Sequence, residues 1–86
     1  MVQRNVLVKN PTGLHARPAA QFVDLCKKFK SDIYIELNGK KSNAKSIFNV
    51  LHCCIKMGDS ITLIADGEDE ICALEQIAKF IEALEE

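Results

Sequence analysis

The stretch Ile33-Tyr34-Ile35-Glu36-Leu37-Asn38-Gly39-Lys40 combines two structural signals. Ile33, Ile35 and Leu37 alternate with Tyr34 and Glu36, the period of two that gives a strand one apolar face. Asn38-Gly39 follows, a pair whose residues accept positive φ and so close a two-residue hairpin. A brief strand over 40–44 should therefore run back antiparallel to the first.

On the N-terminal side, residues 2–8 place Val2, Val6 and Val8 on one side at period two, which predicts another strand. Asn10-Pro11-Thr12-Gly13 is a turn cluster. From 16 to about 29 the period lengthens: Ala16, Ala19, Phe22, Val23, Cys26 and Phe29 recur at helical spacing. On the C-terminal side, Ser46 can cap a short helix over 47–53 that carries Ile47, Phe48, Val50 and Leu51. Gly58-Asp59 is a turn, 60–66 a fourth strand, and Asp66-Gly67 ends it. Glu68, Asp69 and Glu70 stand where a helix N-terminus favours negative charge. Ile71, Leu74, Ile77, Ala78, Ile81 and Leu84 form the stripe of the last helix. The order is βαββαβα. Strands and helices each have one apolar face, so the expected fold is α+β: an open-faced sandwich, a four-stranded antiparallel sheet with three helices on one face.

Composition bounds the function. The chain has 86 residues, 48% of them apolar, enough for one core, and 1–86 is expected to form a single domain. Eleven basic against twelve acidic side chains leave a net charge of −1, which speaks against a nucleic-acid binder. No apolar run approaches the roughly 20 residues that span a bilayer. The opening Met1-Val2-Gln3-Arg4-Asn5 lacks a signal-peptide layout, so a cytoplasmic protein is expected. In that compartment Cys26, Cys53, Cys54 and Cys72 are expected to be free thiols, Cys26 in the core and Cys72 exposed. A zinc or copper site at His52-Cys53-Cys54 lacks the Cys-x-x-Cys spacing that would mark one, and no metal or cofactor is assigned.

Thr12-Gly13-Leu14-His15-Ala16-Arg17-Pro18 carries the chemistry. His15 falls at the last position before a helix, and Pro18 in the first turn, where a missing N–H costs nothing. The helix start at Ala16, Arg17 and Pro18 is a candidate phosphate-binding site, with Arg17 adding a planar cation suited to phosphate oxygens. An imidazole beside such a site is a nucleophile placed for a phosphoryl group.

Gly13-Leu14-His15-Ala16-Arg17-Pro18-Ala19-Ala20 resembles the active-site signature of the HPr family, the histidine-containing phosphocarriers of the bacterial phosphoenolpyruvate:sugar phosphotransferase system. Asn38-Gly39-Lys40, Ala44-Lys45-Ser46-Ile47-Phe48 and Gly67-Glu68-Asp69-Glu70 resemble that family's second half, and the similarity runs from about residue 2 to 84. The resemblance implies that His15 accepts a phosphoryl group on Nδ1 from enzyme I and passes it to sugar-specific IIA domains, with Arg17 steadying the phosphate. It implies a carrier rather than an enzyme. Ser46 resembles the serine phosphorylated by an ATP-dependent HPr kinase/phosphorylase, which would also link the chain to a transcriptional regulator. A monomer is expected.

A phosphoserine at the Ser46 cap would meet favourable partial charge, yet add close to two negative charges beside Ile47, Phe48 and Leu51. Those side chains, with Leu14, are the candidate partner-docking patch. The stretch Asn49-Val50-Leu51-His52-Cys53-Cys54 departs from the family. Cys54 stands near the helix end, where relatives have glycine, so a differently shaped exit is expected. One alternative is a regulatory relative acting only through Ser46; such relatives lose the active histidine, and His15 is present. The other is an RNA-binding sheet, for which Tyr34 is the only aromatic on the predicted strands.

Overall fold

A computed structural model describes residues 1–85. Its elements are β1 (Val2–Leu7), α1 (Ala16–Lys27), β2 (Asp32–Leu37), β3 (Lys40–Asn43), α2 (Ile47–His52), β4 (Ser60–Asp66) and α3 (Glu70–Glu82). The four strands form one antiparallel sheet in the order β1-β4-β2-β3. The expected βαββαβα sandwich is what the chain adopts. Among the described residues, no helix is long and apolar enough to cross a membrane.

The alternation read in the sequence selects the buried face. Val6, Ile33, Ile35, Ile61, Leu63 and Ala65 are buried, and Phe22, Val23, Cys26, Ala73, Leu74, Ile77, Ala78 and Ile81 from α1 and α3 close over them. The Asn38-Gly39 hairpin forms as expected, with φ of 53° and 82° and Leu37 opposite Lys40. The other face of the sheet is mixed: Ile64 and Leu7 lie on it, but the Thr62 hydroxyl donates to the Asn5 side chain at 2.8 Å, and the Lys41 ammonium lies 4.3 Å from the Tyr34 ring centroid. The one aromatic face on these strands is thus already occupied by a cation.

Three details of the helices depart from the sequence reading. Helix α1 stops at Lys27 rather than 29, because the N–H groups of Lys28 and Phe29 turn back to the carbonyls of Leu25 and Cys26. Helix α2 stops at His52, with Cys53 as its cap. Ile71, placed on the apolar stripe of the last helix, is 66% exposed, and Ala73 is buried on that helix instead. Ile71 lies in the first turn of α3, where the stripe has not yet reached the sheet.

The acidic cluster before α3 does more than meet the helix dipole. The Asp69 carboxylate makes no cap bond within its own helix; it reaches the turn after α1, accepting from the backbone N–H groups of Lys30 (2.9 Å) and Ser31 (3.0 Å) and from the Ser31 hydroxyl. Gly67 makes this approach possible, since a Cβ there would lie 2.6 Å from Ser31 Cα. The Ser31 hydroxyl and the backbone N–H of Lys30 hold the Asp69 carboxyl down at about 2. A depressed carboxyl favours the fold above its unfolded value near 4, and that contribution vanishes as pH falls toward 2. Asp69→Asn should therefore be less stable than wild type in urea at pH 6, with the difference shrinking between pH 4 and 2. A difference that stayed constant through that window would show that ionisation is not what the clamp uses.

Candidate functional site

The segment before α1 is pinned by its backbone. The Asn10 side-chain amide donates to the Gly13 carbonyl at 2.8 Å, and the Gly13 N–H donates to the Asn10 carbonyl at 3.2 Å. The Leu14 N–H donates to the Ile55 carbonyl at 3.2 Å. Gly13 has φ +61°, and a Cβ on it would meet the Ile55 oxygen at 2.2 Å, so only glycine lets the two backbones approach this closely. The segment that carries His15 is thereby fastened to the stretch between α2 and β4.

Leu14 completes the fastening and corrects an expectation. The sequence puts it with the docking patch, but it is fully buried among the core side chains. The residue beside the histidine is an anchor, and its side chain offers no surface to a partner.

His15 is the N-cap residue of α1, with extended φ and ψ (−128°, 161°), and its side chain makes no capping hydrogen bond. The half-exposed imidazole is not used to satisfy the helix end. Ala16 follows at φ +51°, left-handed without being glycine, a conformation costing of order 1–3 kcal/mol. Arg17 then continues into the right-handed helix, and Pro18 is buried in the first turn. Pro18 has no N–H, so the backbone donors that residues 16–18 present at this positive end of a twelve-residue helix are the N–H groups of Ala16 and Arg17. Arg17 is exposed at the same place. Such a site can nucleophilically accept a phosphoryl group and hold the resulting oxyanion. Nothing in the sequence flags the left-handed Ala16, because alanine carries no preference for that region.

Ser46 caps α2 as expected, its hydroxyl accepting from the Asn49 N–H at 3.4 Å. Phe48 (76% exposed) and Leu51 (36%) stand three residues apart on the outer face of α2, while Ile47 is half-buried against the core. Helices α1 and α2 pack together, so the two regions share one side of the molecule. Met57, 60% exposed and adjacent to the Lys56 backbone that abuts Gly13, adds an apolar residue near the histidine segment. It sits in a loop, where periodicity offers no signal.

The exit of α2 resolves the atypical 49–54 stretch. Cys54 has φ +53°, the left-handed conformation that a glycine would supply, so the side chain changes while the expected change in backbone shape does not occur. All four cysteines are free. Burial pushes the Cys26 thiol up to about 12 against the opposing charge of Lys45, so it stays protonated in the core. No three of the described His, Cys, Asp or Glu side chains converge as a metal site.

This architecture and this histidine segment define a class of small phosphocarrier proteins. The family model described as the PTS HPr component phosphorylation site matches residues 2–83, and the chain belongs to the HPr family. It is 49% identical to the HPr-like protein Crh of Bacillus subtilis (strain 168) over 82 residues, 95% of this chain and 96% of that protein. It is 48% identical to the phosphocarrier protein HPr of Buchnera aphidicola subsp. Acyrthosiphon pisum over 85 residues, 99% of this chain and all of that one (100%). The crystal structure of HPr-C-His from Thermoanaerobacter tengcongensis superposes with a TM-score of 0.94 at 42% identity, over 96% of this chain and 93% of that one.

Two substitutions test this account of the site. Leu14→Ala should cost about 2–5 kcal/mol in urea unfolding, as for a buried leucine; a near-neutral result would return Leu14 to the surface. Cys54→Gly should raise stability by about 0.5–1 kcal/mol by relieving the left-handed side chain, seen as a higher unfolding midpoint.

Proposed function

We propose that His15 accepts a phosphoryl group from phosphorylated enzyme I and passes it to sugar-specific IIA domains. The observation that carries this is the His15 imidazole, at the head of α1 but uninvolved in capping it, beside the turn where Ala16 is left-handed and Arg17 enters the helix. In the forward step the Nδ1 lone pair attacks phosphorus, the bond from phosphorus to its carrier atom on enzyme I breaks, and that atom keeps the electron pair. The N–H groups of the helix start and the Arg17 guanidinium take up the charge on the phosphoryl oxygens. Delivery to a IIA domain is the same displacement with the incoming nucleophile on the partner. The chain acts as a cytoplasmic, monomeric relay with no turnover of its own and needs no metal or cofactor. Phe48 and Leu51, with the flank of Ile47, form the apolar part of the docking face.

Ser46 is the control point in this scheme. Phosphorylation by an ATP-dependent HPr kinase/phosphorylase places about −1.5 to −2 charge at the N-cap of α2, where the helix end tolerates it and an acidic partner approaching Phe48 does not. The likeness to the Crh protein favours a second reading, regulation through Ser46 with a transcriptional regulator as partner and no sugar transport. The two diverge at His15.

Incubation with enzyme I and phosphoenolpyruvate should give an acid-labile, base-stable phosphoryl adduct that is absent from His15→Ala. If wild-type protein gains none from a competent enzyme I, the relay reading fails and regulation through Ser46 stands in its place. HPr kinase and ATP should give an acid-stable adduct that Ser46→Ala loses. Ser46→Asp should slow transfer from enzyme I by about tenfold, chiefly through association. Unchanged transfer in that variant would detach Ser46 from control of the relay.

A further inference from the structure

Between the β2–β3 hairpin and the last turn of α2 lies a groove of about 420 Å³, within the range of small-molecule sites. Half-buried Leu37 supplies an apolar wall, and the Ser42 hydroxyl and Cys53 thiol lie beside it. Lys40 and His52 line the groove with the side-chain amides of Asn38 and Asn49. Every polar side chain here can donate a hydrogen bond, and none of the described lining residues is Asp or Glu. A carboxylate-free wall with one fixed cation selects an anion over a cation.

The groove adjoins the C-terminal end of α2, whose carbonyls would oppose an anion if left bare. They are not bare. The Asn49 and Val50 carbonyls accept from the Cys53 N–H, the Asn49 carbonyl also accepts from the Cys53 thiol, and the Leu51 carbonyl accepts from the Cys54 N–H. The left-handed Cys54 turns the chain so that these bonds close.

We propose that this groove binds a small hydroxylated oxyanion, a metabolite bearing carboxylate or phosphate. Lys40 meets the oxyanion as a point charge, His52 donates to it, and the Asn38 and Asn49 amides take hydroxyls. A ligand held this way joins the hairpin to the helix that exposes Phe48 and Leu51. The binding stands independently of phosphoryl transfer at His15. The molecule holds its own control: a second groove at the start of α3 is lined by Glu68, Asp69, Glu70 and Glu75 and should repel the same ligand.

The test is a titration of isotope-labelled protein with citrate and, separately, with inorganic phosphate, at constant ionic strength, followed by backbone amide shifts. Saturating shifts at Lys40, Asn49 and His52, with 67–75 unmoved, are expected for at least one of the two. Citrate alone assigns a carboxylate ligand, phosphate alone a phosphate, and both the oxyanion in general. Lys40→Gln should weaken binding about three- to tenfold, the loss of one charged hydrogen bond at an exposed site. Asn38→Asp, which keeps a residue that tolerates positive φ but adds a carboxylate, should weaken it at least as much. Shifts that fail to saturate, that are confined to 13–18, or that are unchanged in Asn38→Asp would overturn the proposal.

Discussion

The contact between the Gly13-Leu14 backbone and Ile55 is the constraint on which the rest of the site depends. It is one N–H to carbonyl bond of 3.2 Å, made possible by a glycine whose missing Cβ would otherwise strike the acceptor, and held by a leucine side chain that lies wholly in the core. The next residue is His15. An exposed loop would let that imidazole wander through many orientations, each costing entropy to recover when a partner arrives. Fastened this way, the residue before the ring belongs to the core and the residue after it to a helix, so the ring stands on a short rigid post.

Ala16 belongs to the same economy of position. Its left-handed conformation costs free energy that the packed flanks must offset, with Leu14 on one side and Pro18 and Ala19 on the other all buried. In return the chain passes from the extended His15 directly into the helix, so the imidazole stands at the helix's positive end. Cys54 repeats the device at the exit of α2, where the left-handed turn satisfies the last carbonyls of a six-residue helix that could hardly persist alone. Both helices bordering the functional side are thus bounded by strained residues at the ends nearest the Gly13–Ile55 junction.

Much of this was legible beforehand because periodicity reports burial directly. Ile33, Ile35 and Leu37 alternate because one face of β2 meets helices and the other does not, and Asn38-Gly39 can do little but turn. The histidine segment was legible for another reason: turn residues, a single imidazole and a helix start fall within seven positions. Leu14 was misplaced because a hydrophobic residue in a loop has no period, and its burial depends on where the loop lies. Ile71 was misplaced because a stripe says which side of a helix is apolar and not where along its length the neighbouring layer begins. The Asp69 clamp joins residues 38 and 39 positions apart, a distance that no local pattern spans.

By itself the chain's order of residues determined the elements, their hairpin, the single-sided sandwich and the placing of an imidazole at a helix start, since each follows from short-range backbone preference or from one apolar face seeking cover. The strand order β1-β4-β2-β3, the descent of Leu14 into the core and the left-handed backbone of Ala16 and Cys54 were decided only in three dimensions. They depend on which distant segments compete for the same space, and that competition has a single solution only once the whole core is packed.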